Sequence, residues 1–189
     1  MRLADATVDP EHPARDVGAM APASPRPHAN FPLLTRLGRM GLLRVAPDEA
    51  REACVAGDRP EVALLRLCSR GCLEGGLRAA LGVRPEELMG PLLHALGGAA
   101  RTLKLVDVRD HPVLELHVLV EGALERWEVP ELRALIHNVN DLYRGTSGVR
   151  RTAVLGEWED ALQLWCVPAA ALEPLRREPS FQPENLREL

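Results

Sequence analysis

The sequence contains little lysine, few aromatic residues and no long apolar run. Of its 23 lysines and arginines only Lys104 is a lysine, and aromatic residues make up 3% of the 189 residues. No stretch approaches the roughly 20 apolar residues of a membrane-spanning helix, and residues 1–30 lack the apolar stretch of a signal peptide. We therefore expect a cytoplasmic protein with no membrane partner and with its four cysteines reduced. The arginine bias, with abundant alanine, leucine, glycine and proline, indicates a bacterial genome rich in G and C.

The charge is negative overall and is divided unevenly between the two halves of the chain. The formal net charge is −4. Residues 1–104 carry 14 basic and 12 acidic side chains, a net +2, whereas residues 105–189 carry 9 and 15, a net −6. This balance argues against general affinity for nucleic acid. It favours the N-terminal half as the location of any anion-binding surface.

The best-specified element is a helix that begins at Pro130. Proline suits the first turn of a helix, where a missing N–H group costs no intrahelical hydrogen bond. Apolar residues then recur at the three-and-four spacing of one helical face: Leu132, Leu135, Ile136, Val139, Leu142 and Tyr143. Gly145 follows as a natural C-terminal cap. We expect the apolar face of this helix to lie in the core.

Two short strands and a closing helix are predicted after the Pro130 helix. Residues 152–158 are largely apolar, and residues 161–167 alternate, with Leu164 and Cys166 on one face. Because the opposite face of the second strand is also largely apolar, we expect that strand to be central in its sheet. A proline ends it, and residues 169–177 are predicted to form the closing helix.

A helix and three strands are predicted upstream of Pro130. The helix begins at Pro85, and Pro91 inside it is expected to kink or split it. Residues 102–108, 113–121 and 124–129 are predicted to be strands, and the second alternates strongly between apolar and polar side chains. The predicted fold class is therefore α+β: an N-terminal helical segment, then helix, three strands, helix, two strands and helix, with an antiparallel sheet.

Composition divides the chain into four parts. Residues 1–30 are rich in proline and alanine without periodicity, and we expect a disordered tail there. Residues 31–84 are predicted to be a helical segment that includes helices over 60–69 and 73–81. Residues 85–177 form the predicted α+β domain, and residues 178–189 a C-terminal tail.

The order of elements resembles the type III secretion chaperone-like fold, which includes the YbjN-like regulators. The local resemblance lies in the helix Leu135-Ile-His-Asn-Val-Asn-Asp-Leu142, with Asn138 and Asn140, followed by the hairpin 153–167 and Pro168. It covers residues 85–177, and the arginine- and alanine-rich segment before them has no place in the family pattern. The resemblance implies a homodimeric, non-enzymatic protein that binds another polypeptide.

A second resemblance, to winged-helix repressors, involves residues 60–120. Leu77-Arg-Ala-Ala-Leu-Gly-Val83, with the helix that begins at Pro85, is similar to a helix-turn-helix with Gly82 in the turn, and residues 102–120 would be the wing. This resemblance implies that the second helix reads DNA in the major groove. That helix offers Glu86 and Glu87 in its first turn, and carboxylates suit a phosphate-lined groove poorly. A winged-helix transcription regulator is therefore the alternative function, and nucleic acid is not the expected partner.

Two groups of side chains have a faint likeness to metal sites. Asp110, Glu115 and His117 resemble the ligands of metal-dependent nucleases, but no lysine follows Glu115 at the position such enzymes need. A metal-dependent hydrolase or nuclease is thus the least favoured alternative. Cys68 and Cys72 lie one helical turn apart without a fourth ligand nearby, which favours buried structural thiols. We predict no catalytic residue, no cofactor and no metal.

The expected function is protein binding without catalysis, as a chaperone-like or regulatory protein whose partner is another protein or a second copy of the chain. We expect dimerisation through the sheet or through the Pro130 helix. The candidate contact residues include two tryptophans, because exposed aromatic side chains are enriched at interfaces. The full candidate set is Trp127, Trp158, Glu157, Glu159, Asp160, His137, Asn138 and Asp141.

Overall fold

The computed structural model describes residues 30–110 and 112–189. The disordered tail predicted over residues 1–30 lies, apart from Asn30, outside the described residues. The described helices are α1 Phe31–Arg39, α2 Pro47–Ala53, α3 Pro60–Ser69, α4 Pro85–Leu96, α5 Leu132–Leu142 and α6 Ala169–Arg176, with a 3-10 turn at Gly98–Thr102. The strands are β1 Gly76–Ala80, β2 Lys104–Asp110, β3 Leu114–Val120, β4 Ala123–Glu128, β5 Arg151–Trp158 and β6 Ala161–Val167. None of the described helices has the length and apolar character needed to cross a membrane.

The six strands form two antiparallel sheets of three strands each. We call the sheet with the order β1–β6–β5 the buried sheet and the sheet with the order β2–β3–β4 the open sheet. All strand pairs in both sheets are antiparallel. The α+β class is thereby confirmed, as is the order helix, three strands, helix, two strands and helix from Pro85 onward.

The helix predicted over residues 73–81 is wrong, because this segment contains β1. Gly76–Ala80 pairs with β6, so that Leu77 lies opposite Leu164 and Arg78 opposite Gln163. At Gly75 φ is +77°, and a Cβ there would lie 2.4 Å from the Cys166 carbonyl oxygen, so glycine is needed where the chain meets β6. The first helix of the proposed helix-turn-helix is therefore absent. The strand also ties residues 31–84 to the α+β region in one sheet.

Two hydrophobic cores lie on the two faces of the buried sheet. Every residue of β6 is buried. Leu164 and Cys166 belong to the first core, which α4, α5 and the inner face of the open sheet complete. Trp165 and Val167 belong to the second core, with α1, α2, α3 and α6. The prediction that this strand is central is confirmed.

The helices of the first core follow their sequence patterns. Leu135, Ile136 and Val139 of α5 are buried, as the spacing after Pro130 predicted. In α4 the helix continues through Pro91, which is exposed and does not split it. The expected split is therefore not found.

The last residues of the chain pack on the fold. Phe181 is buried and meets Trp165 edge to face, with 5.9 Å between ring centroids. The Glu184 amide donates to the Val154 carbonyl at 2.8 Å, and Glu178 pairs with Arg36 of α1. Residues 178–189, predicted as a tail, thus complete the second core and cover part of β5.

Candidate functional site

The tryptophans predicted as contact residues are largely occupied within the fold. Trp127 is 8% exposed, lies in the first core and donates its indole N–H to Glu125 at 2.9 Å. Its ring is therefore not part of an exposed surface. Trp158 is half-buried, and the Arg66 guanidinium lies over its ring at 5.2 Å from the centroid. Such a cation–π contact covers one face of the indole.

The acidic residues around Trp158 are exposed, and the side chains of Glu157 and Glu159 already have partners in the fold. The Ser69 hydroxyl donates to the Glu159 carboxylate at 2.8 Å, and this hydrogen bond lowers the pKa of Glu159. Arg78 donates to the Glu159 carbonyl at 2.7 Å, and Arg133 lies 3.3 Å from Glu157. The backbone of Asp160 is left-handed, with φ at 57°, and closes the β5–β6 turn. Several of the charges at this turn are therefore already engaged within the fold.

The outer side of α5 is ionic. His137 Nδ1 lies 3.3 Å from a Glu188 oxygen, and Asp141 pairs with Arg144 at 2.8 Å. Asn138 is half-buried beside them. Because the apolar side of α5 faces the core, these residues form a solvated helix face that offers a partner little apolar area.

Asn140 has a structural role that the sequence pattern did not reveal. Its amide is buried, donates to the Thr152 carbonyl at 2.9 Å and accepts from the Thr152 amide at 2.9 Å. These two bonds hold α5 against the start of β5. From sequence alone, a polar residue among the apolar positions of a helix does not reveal that its side chain will bond the backbone of a neighbouring strand.

The three residues considered as nuclease ligands do not come together. Asp110 lies opposite Leu114 in the β2–β3 register, and it therefore faces the opposite side of the sheet from Glu115 and His117. Arg84 pairs with Asp110 at 3.0 Å. Within residues 30–110 and 112–189, no group of three or more His, Cys, Asp or Glu side chains is placed to hold a metal ion.

All four cysteines are buried and free. Cys68 Sγ lies 3.2 Å from the Leu164 carbonyl and 3.6 Å from the Leu77 carbonyl, between α3 and the buried sheet. Burial raises the pKa of Cys68 to about 12 and that of Cys166 to about 11. Both thiols therefore stay protonated at neutral pH, which makes them poor nucleophiles.

α4, the candidate recognition helix, lacks the features expected of a DNA-reading helix. The apolar side of α4 is buried in the first core, and its exposed positions include Glu87 and His94 but no arginine. Arg84, just before α4, pairs with Glu86 and Asp110. Arg66 and Arg78 instead lie at the Trp158 turn, so these arginines do not converge with Arg84.

The outer face of the open sheet carries exposed apolar side chains. Strand alternation and the register place ten residues there: Lys104, Val106, Asp107, Arg109, Glu115, His117, Leu119, Leu124, Arg126 and Glu128. Val106 is 59% exposed and Leu124 is 63% exposed. Leu119 lies directly opposite Leu124. Together these three side chains form an apolar strip across all three strands.

A β-bulge explains why Val106 lies outside. The register shifts between Leu105 and Asp107. Leu105 and Val108 both pack against the first core, so the two residues between them turn away from it together. A bulge places two residues of one strand opposite one residue of its neighbour. The sequence predicted the strand but not this irregularity.

Arginines line two neighbouring clefts on another part of the surface. The first cleft, of about 510 Å³, is lined by Arg44, Arg101 and Arg150 with Glu74 as its one carboxylate. Arg150 lies 3.2 Å and Arg44 3.7 Å from Glu74. Three guanidiniums share one carboxylate, which leaves an excess of positive charge.

The second cleft, of about 490 Å³, adjoins the first and shares Gly148 and Arg150 with it. Arg151 forms part of its wall and is 5% exposed. The fold brings Arg44 and Arg101, from the half of the chain favoured for an anion-binding surface, beside Arg150 of the other half. The sequence carried one signal for the second cleft: Arg150 and Arg151 follow closely on the loop 145–148, which begins and ends with glycine.

Comparison with protein-family models, with curated proteins and with solved structures gave no significant match. Two surfaces remain that the described fold does not use for its own packing. One is the apolar strip of the open sheet, and the other is the pair of arginine-lined clefts.

Proposed function

We propose that the protein is a non-enzymatic protein-binding protein that self-associates through the outer face of the open sheet. The observation that supports this most directly is the apolar strip, in which Val106 and Leu124 are exposed and Leu119 is partly exposed, on a sheet whose other face is core. A sheet usually buries at least one face and leaves the other polar. Contiguous apolar side chains on the open face are therefore typical of an interface.

The charges around the strip favour a second copy of the chain as the partner. The face carries three cations and three anions: Lys104, Arg109, Arg126, Asp107, Glu115 and Glu128. Arg109 pairs with Asp107 at 3.1 Å, and Arg126 lies 3.9 Å from both Glu115 and Glu128. A face with balanced charge can meet its own copy across a two-fold axis without net repulsion.

The edges of the open sheet make face-to-face contact more favourable than strand addition. β2 is an edge strand, and its bulge at Val106 interrupts the regular ladder. Lys104, Asp107 and Arg109 place charges along it. Bulges and charges on an edge strand disfavour pairing with another strand. The proposed dimer therefore contacts through side chains of the face.

A charge introduced into the strip tests the proposal. The variant with both Val106→Glu and Leu124→Glu is compared with the parent and with Val55→Glu, whose side chain is 52% exposed outside the open sheet. Sedimentation velocity over a range of concentrations is expected to show a dimer for the parent and the control, and a monomer for the strip variant. Thermal midpoints close to the parent's would show that all three remain folded.

Two outcomes would contradict this assignment. A parent that stays monomeric at all concentrations would leave a different polypeptide as the partner of the face. A dimer that persists in the strip variant but is lost in Trp158→Ala would move the contact to the turn at the end of β5. That second result would favour the sequence-based hypothesis for Trp158.

A further inference from the structure

Arg151 is a buried guanidinium with no carboxylate at salt-bridge distance in the described chain, although Asp141 acts on it from farther away. Its Nη2 donates to the Glu188 carbonyl at 3.0 Å and its Nη1 donates to the Asn140 carbonyl. Its Nε lies buried without a hydrogen-bond acceptor. Burial, with the neighbouring Arg144, lowers the pKa of Arg151. A buried cation is costly unless it is well paired. Asp141 offsets part of that cost, and a bound anion would offset more of it.

The cleft beside Arg151 is lined by donors. Thr146 and Ser147 are exposed on the loop between α5 and β5, and neither hydroxyl makes a hydrogen bond within the described chain. Arg150 also lies on the wall, and no aspartate or glutamate does. A cleft with hydroxyls, two guanidiniums and no carboxylate favours a negatively charged ligand.

The first turn of α6 adds to the same wall. Ala169 and Ala170 line the cleft, and Pro168 provides no side-chain cap for the helix. The first amides of a helix have no partners within it and carry the positive end of its dipole. Because these amides lie in the same cleft as the buried Arg151, two independent features of the fold present positive charge to one place.

We propose that this cleft binds a small phosphate monoester, with the phosphate group between Arg151, the 145–148 loop and the N-terminus of α6. Guanidinium N–H groups and helix amides are usual partners of phosphate oxygens. The cleft has the size of small-molecule sites. Since the arginine-lined first cleft adjoins it, the organic part of the ligand has room beyond Gly148.

The test uses the full chain and variants on the exposed loop, which spare the buried Arg151. Ser147→Glu places a carboxylate where the phosphate would lie, and Gln182→Glu adds the same charge at an exposed site outside the cleft. Inorganic phosphate and phenyl phosphate are titrated by calorimetry against sodium chloride of equal ionic strength. The parent and Gln182→Glu are expected to bind saturably, with phenyl phosphate the tighter ligand. Ser147→Glu is expected to bind at least about tenfold more weakly, the cost of one charged contact.

A second variant tests Arg151 itself. Arg151→Gln is expected to lose phosphate binding, and its thermal midpoint shows whether it remains folded. The proposal is overturned if phosphate does no more than chloride at equal ionic strength, or if Ser147→Glu binds as the parent does. Because the cleft and the open sheet share no residues, these outcomes do not depend on the proposed dimer.

Discussion

β6 and β3 hold the same position, the middle strand of a three-stranded antiparallel sheet, yet they differ in burial. All seven residues of β6 are buried, whereas in β3 only Leu116 and Val118 are buried. The buried sheet has a core on each face, and the open sheet has a core on one. The difference separates a sheet that organises the molecule from a sheet that also presents a surface.

The buried sheet is where side-chain loss should cost most. Trp165 is fully buried, meets Phe181 edge to face and donates its indole N–H to the Glu74 carbonyl at 2.9 Å. Trp165→Ala is expected to lower the free energy of unfolding by about 3–5 kcal/mol. Urea unfolding followed by circular dichroism measures it. A loss below about 1 kcal/mol would mean that the two-sided burial of β6 does not carry the stability we assign to it.

The second-largest loss of stability is expected in α5, which lies in the chain between the open sheet and β5. Ile136 of α5 is buried in the first core, and Ile136→Ala is expected to cost about 2–5 kcal/mol in the same assay. The neighbouring His137→Ala serves as control, because His137 is exposed. A cost under about 0.5 kcal/mol for Ile136→Ala would place the helix in a different register.

Breaking the hydrogen bonds between Asn140 of α5 and Thr152 of the buried sheet is expected to cost less stability. Asn140→Ala leaves the buried Thr152 amide without its acceptor, whereas the Thr152 carbonyl keeps a donor in the Asn185 side chain at 2.9 Å. One unsatisfied buried group costs about 1–3 kcal/mol. Asn138→Ala is the matched control, because Asn138 is a half-buried asparagine on the outer side of the same helix. Equal unfolding free energies for the two variants would contradict a structural role of Asn140.

Sequence reasoning was most successful where the pattern and the packing had the same cause. The spacing after Pro130 predicted the buried side of α5, and the apolar residues on both sides of β6 predicted a central strand. Both signals come from burial itself, which selects apolar side chains at a fixed period. The element order from Pro85 was predicted for the same reason.

The failures occurred where tertiary contacts decided the outcome. Leu77 and its neighbours have the composition of a helix, but pairing with β6 makes them a strand. A five-residue element is too short for its periodicity to settle the question. The first cleft could not be predicted either, because Arg101 and Arg150 line it together only when the 3-10 turn packs near the loop before β5.

The outer face of the open sheet should be almost neutral for folding. Leu124→Ala removes a side chain that is mostly exposed and is expected to change the free energy of unfolding by no more than about 0.5 kcal/mol. Leu116→Ala, on the inner face of the same sheet, should cost about 2–5 kcal/mol. The measurement needs low protein concentration, where self-association does not add to stability. Similar losses for the two variants would remove the distinction between the faces.

The smallest expected effect is that of deleting residues 1–29. Their proline- and alanine-rich composition without apolar periodicity is typical of segments that cannot form a packed core. The deletion stops before Asn30, which is buried and donates to the Asp58 carbonyl at 3.3 Å. We expect the thermal midpoint measured by calorimetry to stay nearly unchanged. A fall of many degrees would mean that these residues pack on the fold. The same deletion could also be followed with a dye that binds exposed apolar surface. Increased dye binding at the strip of Val106 and Leu124 would mean that residues 1–29 cover the outer face. The open sheet would then be covered on both faces, as the buried sheet is.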